Sequence, residues 1–228
     1  MSHNPITLAL ELSQRTGSVA MMNRSGAIAA TSVSVGATTE DTLFCSIDEL
    51  SQKLNIKPKE IELMVVSVGP GGFTGLRTST AIAKMVSMVS GATIVPVESA
   101  IVVASHGNEG NGPFYVLSSI KNNHTWLSKV WQQDGKWFCK SKNTTLDQVV
   151  SKLKGVSGVF ADSHLPKETR SAIESRKIPV YQCCPEAESL LRIGLRFFSD
   201  GDCVDPWDLL PVYPREPEAV RLWKERKV

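Results

Sequence analysis

Short apolar runs separated by turn residues predict that the chain begins with three β-strands. The runs occupy residues 6–12, 18–22 and 27–35, and the turn sequence NRSG joins the last two. Apolar residues at helical spacing follow and predict a helix over residues 42–54. The nearly all-apolar run at 62–68 is typical of a strand that is covered on both faces of its sheet.

The same order of elements occurs again in the second half of the chain. A helix over 74–90 and a strand over 92–97 complete the first half, and the sequence HGNEGNGP at 106–113 is the best candidate linker. Asp134-Gly135 predicts a tight hairpin turn in the second half. The predicted elements there are three strands, a helix, a strand, a helix, a strand and a helix, over 114–120, 126–133, 136–141, 145–153, 156–162, 167–176, 178–183 and 186–198.

This repeated order predicts an α/β fold with two lobes. Three antiparallel strands that are extended by parallel strand-helix units form a mixed sheet with helices on both faces. Two such lobes resemble the ribonuclease-H-like lobes of the actin, Hsp70 and sugar-kinase superfamily, by analogy of element order. We expect a first lobe over residues 1–107, and a second lobe with a terminal helix over residues 108–228.

Composition limits the classes of function. The 228 residues are 42% hydrophobic and 21% charged, which is typical of a globular protein. The formal net charge of +2 argues against stable nucleic-acid binding by the chain alone. No apolar stretch reaches the ~18 residues of a membrane span, and residues 1–5 lack signal-peptide features. We therefore expect a cytoplasmic protein that makes no membrane contact.

The cysteines and histidines do not form a recognisable metal or redox motif. The five cysteines contain no CxxC pair, and no two of the four histidines have the i, i+4 spacing of a helical metal site. No nucleophile-base pair or carboxylate pair stands out either. We expect free thiols, no bound metal ion and no catalytic residue in this chain.

A glycine-rich turn between strand 62–68 and helix 74–90 is the strongest local signal. Glycine amides at a helix N-terminus are able to bind phosphate. The turn lacks the Lys-Ser/Thr pair of a P-loop and the spacing of GxGxxG, and a tight structural turn is the alternative. This signature loop consists of Gly69, Pro70, Gly71, Gly72, Phe73, Thr74, Gly75, Leu76 and Arg77.

The signature loop, GPGGFTGLR, resembles a motif of the TsaB (YeaZ) family that reads GPGSFTGLR. LALELSQRTGSVAM is similar to the family's opening strand and turn, and LLPVYPREPEA is similar to its closing P-x-Y-x-R segment. The resemblance implies a non-catalytic partner of the TsaD subunit, which transfers a threonylcarbamoyl group to adenosine in tRNA. It also implies an assembly with the ATPase TsaE, so that ATP enters only through the partner subunits.

Departures from the family pattern weaken the case for a nucleotide site in this chain. The family has Asp-Thr-Ser after its first strand, where this chain has Glu11, Leu12 and Ser13. The alternative functions are an ATP-binding or ATPase protein of the actin and sugar-kinase superfamily, and a stand-alone tRNA-binding protein. The first alternative would need an Asp at position 11 and a phosphate loop in each lobe.

Helices 42–54 and 74–90 are predicted to form a docking surface, because the family docks on TsaD through helices packed side by side. Small side chains permit a close approach of helices, and methionine suits a surface with more than one partner. A second copy of this chain would use the same surface in a homodimer. The predicted interface residues are Leu43, Ile47, Leu50, Thr74, Ser79, Ala83, Met85, Ser87 and Met88.

Overall fold

The structure is a computed structural model that describes residues 4–34, 42–105, 112–121, 123–213 and 223. Most of the predicted linker at 106–113 and the predicted terminal helix after residue 216 lie outside the described residues. Of that helix only Trp223 is described, and it is helical and exposed. No helix in the described part of the chain has the length and apolarity to cross a membrane.

The first half of the chain forms a five-stranded mixed sheet. Strands β1 (Thr7–Glu11), β2 (Thr16–Met22) and β3 (Ile28–Ser34) are antiparallel, and β4 (Leu63–Gly69) and β5 (Thr93–Glu98) are parallel to β1. The strand order is β3-β2-β1-β4-β5. β4 is buried along its whole length, as its nearly continuous apolar run predicts.

The second sheet repeats this arrangement. Strands β6 (Phe114–Lys121), β7 (His124–Gln133) and β8 (Lys136–Thr145) are antiparallel, and β9 (Gly158–Ala161) and β10 (Val180–Gln182) extend the sheet in parallel beyond β6. The strand order is β10-β9-β6-β7-β8. The two turn residues between β7 and β8 both have positive φ, which confirms the hairpin predicted there.

Helices cover both faces of each sheet. They are α1 (Leu43–Leu54), α2 (Phe73–Ser90), α3 (Ser99–Ser105), α4 (Leu146–Ser151), α5 (Lys167–Glu174) and α6 (Ala187–Asp200). Buried side chains of α1 and α2 pack on one face of the first sheet, and those of α3 and α6 pack on the other. α4 and α5 pack on the second sheet. This architecture confirms the predicted fold of two ribonuclease-H-like lobes.

Helix α6 packs on the first lobe, although the predicted division of the chain groups it with the second. α6 contacts β1, β2 and β5, and Leu190 and Leu191 are fully buried in the core between the sheets. The segment after α6 also stays on the first sheet. The Val204 N–H donates to the Ile94 carbonyl at 3.0 Å, and the Val212 N–H donates to the Val68 carbonyl at 2.7 Å.

The packing of α6 can be tested at its close contact with β4. A Cβ atom at Gly194 would stand 2.2 Å from Cγ1 of Val65, and both residues are buried. We expect Gly194→Ala to lower the free energy of unfolding by about 1–3 kcal/mol through overpacking, despite the ~1 kcal/mol by which alanine favours a helix. Urea unfolding followed by circular dichroism measures this change.

Two further variants control that experiment. Ser199→Ala alters an exposed position on the same helix and should change stability by less than about 0.5 kcal/mol. Val65→Ala, combined with Gly194→Ala, should recover part of the loss because it removes the clashing methyl groups. A Gly194→Ala variant that is as stable as the wild type would show that α6 does not pack on β4 in this way.

Candidate functional site

The signature loop is a compact turn that joins β4 to α2. Gly69 has φ of +101°, a backbone conformation that favours glycine. A Cβ atom at Gly71 would stand 2.4 Å from the carbonyl oxygen of Ser13, and the Gly72 N–H donates to that oxygen at 2.8 Å. The group that approaches the glycines is therefore the turn after β1, another part of this chain.

An aromatic cluster fixes the start of α2 to Tyr213, in the segment after α6. The rings of Phe73 and Tyr213 stack at a centroid distance of 4.5 Å. The Arg77 Nε–H donates to the Tyr213 hydroxyl at 3.2 Å, and its guanidinium carbon lies 5.6 Å and 5.8 Å from the two ring centroids. The sequence shows the motif around Tyr213 but does not predict where it lies in the fold. Its contacts with Phe73 and Arg77 join residues that are more than a hundred positions apart.

Glu11 lies beneath this junction and not on an open surface. Its side chain is 1% exposed, and its Oε1 accepts a hydrogen bond from the Ser13 N–H at 2.8 Å. The other carboxyl oxygen has no partner among the described residues. Burial raises the pKa of the Glu11 carboxyl above its usual 4.5, and the hydrogen bond from the Ser13 N–H opposes this shift only in part.

A cleft of about 890 Å³ lies between the two lobes. Ser13 and the signature loop line one side, and Ser118, Asp162 and His164 line the other. The hydroxyls of Ser13 and Ser118 are buried and have no hydrogen-bond partner in the part of the chain that the structure describes. The predicted resemblance to the actin and sugar-kinase superfamily makes this cleft the place at which to test for a metal-bound nucleotide.

The residues in the cleft do not fit a metal-bound nucleotide. Glu11 does not line the cleft, and burial favours the uncharged form of its carboxyl, which is a poor metal ligand. The Gly72 amide, which a phosphate would need, already donates to Ser13. Among the described residues, no group of three His, Cys, Asp or Glu side chains is placed to hold a metal ion.

The structure divides the predicted interface residues into two groups. Thr74, Met85 and Met88 are exposed, and Ile47 and Ser87 are half-buried. Four others are buried within the chain itself, so their side chains do not lie on the surface. They are Leu43, Leu50, Ser79 and Ala83, all buried at 5% exposure or less. The small side chains of α2 thus bring the helix close to its own sheet.

Large apolar side chains do project from the outer side of the α1 and α2 layer. Met85, Met88 and Val89 on α2 are 55%, 70% and 82% exposed, and Phe44 on α1 is 57% exposed. These four residues are called the α1–α2 face. The sequence analysis did not include Phe44 and Val89 among the interface residues. Their exposure depends on the rotation of each helix about its axis, which sets the side that faces the sheet.

The buried carboxyl of Glu11 predicts a particular pH dependence of stability. Below pH 4.5 the group is protonated in both the folded and the unfolded chain. As the pH rises, the unfolded chain loses the proton first, so the group's contribution to stability falls. We expect the melting temperature of Glu11→Gln, relative to wild type, to increase as the pH rises from 4.5 toward neutrality. A constant difference between the two melting curves would contradict a raised pKa.

Comparison of the sequence and the fold with known proteins identifies the family of this chain. The family described as TsaD, tRNA N6-adenosine threonylcarbamoyltransferase, matches residues 36–180, more than half of the chain. No curated protein matches the chain. A Pseudomonas aeruginosa protein described as uncharacterized with similarity to peptidase YEAZ is 16% identical and has a TM-score of 0.76, over 93% of this chain and 100% of that one.

A second solved structure, YeaZ from Pseudomonas aeruginosa, leads to the same fold. It is 15% identical and has a TM-score of 0.74, over 92% of this chain and 100% of its own. Both structures extend across the two lobes, and they confirm the predicted likeness to TsaB (YeaZ) proteins. The chain belongs to the TsaD family, and its fold is that of the YeaZ structures.

Proposed function

We propose that this chain is a non-catalytic partner of a TsaD-type catalytic subunit in the threonylcarbamoylation of adenosine in tRNA. The family match and the YeaZ-like fold support this role. The observation that carries the proposal is the exposure of Met85, Met88 and Val89 of the α1–α2 face, which share one side of α2 and are each more than half exposed. Large exposed apolar side chains that lie on one surface are typical of a site that another protein covers.

The spacing of the exposed residues on α2 suits a helix-to-helix contact. Met85, Met88 and Val89 stand at i, i+3 and i+4, and they therefore share one side of the helix. Ala81 is exposed on that side, one turn before Met85, and its small side chain permits a partner helix to approach closely. Methionine side chains adapt their shape, so the same face serves either TsaD or a second copy of this chain.

The absence of catalysis is part of the proposal. The buried Glu11 and the closed signature loop offer no polarising group to a phosphate or a carbonyl. We do not propose a metallopeptidase activity, because the described residues contain no group of three side chains that are placed to hold a metal ion. ATP enters the assembly through TsaE, and this chain acts as a scaffold for the other two subunits.

A charge at the centre of the α1–α2 face tests the docking proposal. Met88→Asp places a carboxylate in a surface that the partner would desolvate, and we expect it to weaken binding to TsaD by about 2 kcal/mol or more. The variant should remain folded because Met88 is 70% exposed. Isothermal titration calorimetry measures the affinity, and circular dichroism checks the fold.

Phe138→Asp is the matched control, since it adds the same charge at an exposed apolar residue of the second lobe. It should bind TsaD as tightly as the wild type. If wild type and Met88→Asp bind TsaD with equal affinity, the docking surface is not the α1–α2 face. The same measurement at several concentrations shows whether a homodimer competes with TsaD for this face.

A second test concerns activity. The purified chain alone should neither hydrolyse ATP nor modify tRNA, whereas its addition to TsaD, TsaE, tRNA, ATP and a threonylcarbamoyl donor that carries radiolabelled threonine should start threonylcarbamoylation. Radiolabelled threonine in tRNA and phosphate release measure the two reactions. Persistent ATP hydrolysis by the isolated chain that disappears in Glu11→Ala would favour an enzyme of the actin and sugar-kinase type instead.

A further inference from the structure

One face of the β7–β8 hairpin carries basic and aromatic side chains that the docking proposal does not use. Trp137, Cys139 and Ser141 of β8 point to the opposite face, where they pack toward the first lobe. On the other face, Leu127 and Thr144 are buried beside α4, whereas Lys129, Phe138, Lys140 and Lys142 are exposed and the ring of Trp131 is partly covered. This outer hairpin face consists of Lys129, Trp131, Phe138, Lys140 and Lys142.

The strand register brings these side chains together in pairs. Trp131 lies directly opposite Phe138, and Lys129 lies directly opposite Lys140. Opposite residues in an antiparallel pair share one face of the sheet. The two aromatic rings stack at 5.6 Å with an interplanar angle of 16°, and the Lys129 ammonium lies 5.9 Å from the Trp131 ring centroid.

The position of the lysines lowers the stability of the free protein. Like charges that lie directly opposite each other destabilise a strand pair. Within the described ranges of the chain, none of Lys129, Lys140 and Lys142 has an acidic partner within ion-pair distance. A bound polyanion would remove the repulsion between Lys129 and Lys140.

Charge is distributed unevenly between the lobes. Residues 114–182 contain eleven lysines and arginines and five aspartates and glutamates, which gives a formal charge of +6. The whole chain has only +2. The small net charge of the whole chain therefore hides the positive charge of the second lobe. It does not exclude a local surface that binds a polyanion.

Protection of a sheet edge is the simplest alternative explanation of the lysines. β8 is an edge strand, and lysines on an edge strand discourage pairing with other chains. That explanation covers Lys140 and Lys142 but not Lys129, which is on the interior strand β7. It also fails for Phe138, because a 40% exposed aromatic ring on an edge strand favours association.

We propose that the outer hairpin face binds an unpaired stretch of RNA. A base would stack on the exposed ring of Phe138 and extend the Trp131–Phe138 stack, and the three lysines would contact the neighbouring phosphates. Aromatic side chains beside basic ones are the usual means of holding single-stranded nucleic acid. The choice of RNA over DNA rests on the proposed function, whose substrate is a tRNA.

The exposed ring distinguishes RNA from an acidic protein as the partner. Lysines alone would suit either polyanion, since both present negative charge. A planar base gains from a stack of parallel rings, whereas a carboxylate gains nothing from the exposed face of Phe138. The outer hairpin face shares no residue with the α1–α2 face, so RNA and TsaD would bind independently.

Fluorescence anisotropy with a labelled single-stranded RNA of about 12 nucleotides tests the proposal on the full chain. We expect salt-dependent binding, with a slope of log affinity against log salt near −2 for three phosphate contacts. Phe138→Ala should weaken binding about 5- to 150-fold and leave the salt slope unchanged. Lys129→Gln with Lys140→Gln should make the slope shallower by more than one and should raise the melting temperature by relieving the repulsion.

Controls separate this inference from the proposed function. Met88→Asp should bind RNA like the wild type while it loses TsaD, and Phe138→Ala should retain TsaD. The same sequence as a perfect RNA duplex should bind more weakly because its bases are not free to stack. Single-stranded DNA that binds more tightly than RNA would overturn the choice of RNA. Two results would overturn the proposed RNA site. The first is undetectable RNA binding. The second is that polyglutamate binds as tightly as RNA and that Phe138→Ala does not change its binding.

Discussion

The contact between Ser13 and the signature loop is the constraint on which the rest of the first lobe depends. Only a glycine fits at position 71, because the Ser13 carbonyl would stand 2.4 Å from any Cβ atom there. The same carbonyl accepts the Gly72 N–H, and the Ser13 N–H is held by Glu11. The end of β1 and the start of α2 are thereby joined into one rigid junction, to which Phe73 adds its stack with Tyr213. The orientation of α2, and hence the exposure of its outer side, follows from this junction.

The same contact has a consequence for chemistry. Backbone amides at the start of a helix bind phosphate only when they are free and the loop stands open. Here the loop closes on its own chain, and the Glu11 carboxyl is buried. The signature loop and Glu11 thus serve internal packing. We propose partners for two surfaces, the apolar α1–α2 face on the first lobe and the basic outer hairpin face on the second.

Local pattern was sufficient to predict most elements, and the exceptions have physical reasons. Strand β4 and the β7–β8 hairpin have strong apolar or turn signals, and their positions were predicted to within a few residues. Helix α3 was missed because it is buried on nearly every side, so it has no amphipathic period. The packing of α6 on the first lobe was missed because order along the chain suggests the second. The inward direction of Ser79 and Ala83 could not be predicted, since small side chains suit contact with the chain's own sheet as well as with a partner.

The central claim is that a TsaD-type subunit covers the outer side of α2. Hydrogen–deuterium exchange of this chain, measured with and without TsaD, tests it without any substitution. The account predicts slower exchange in peptides that cover Ala81 to Val89 when TsaD is present, and no change in β7 and β8. Unchanged exchange along α2, with protection of another region or of none, would contradict it.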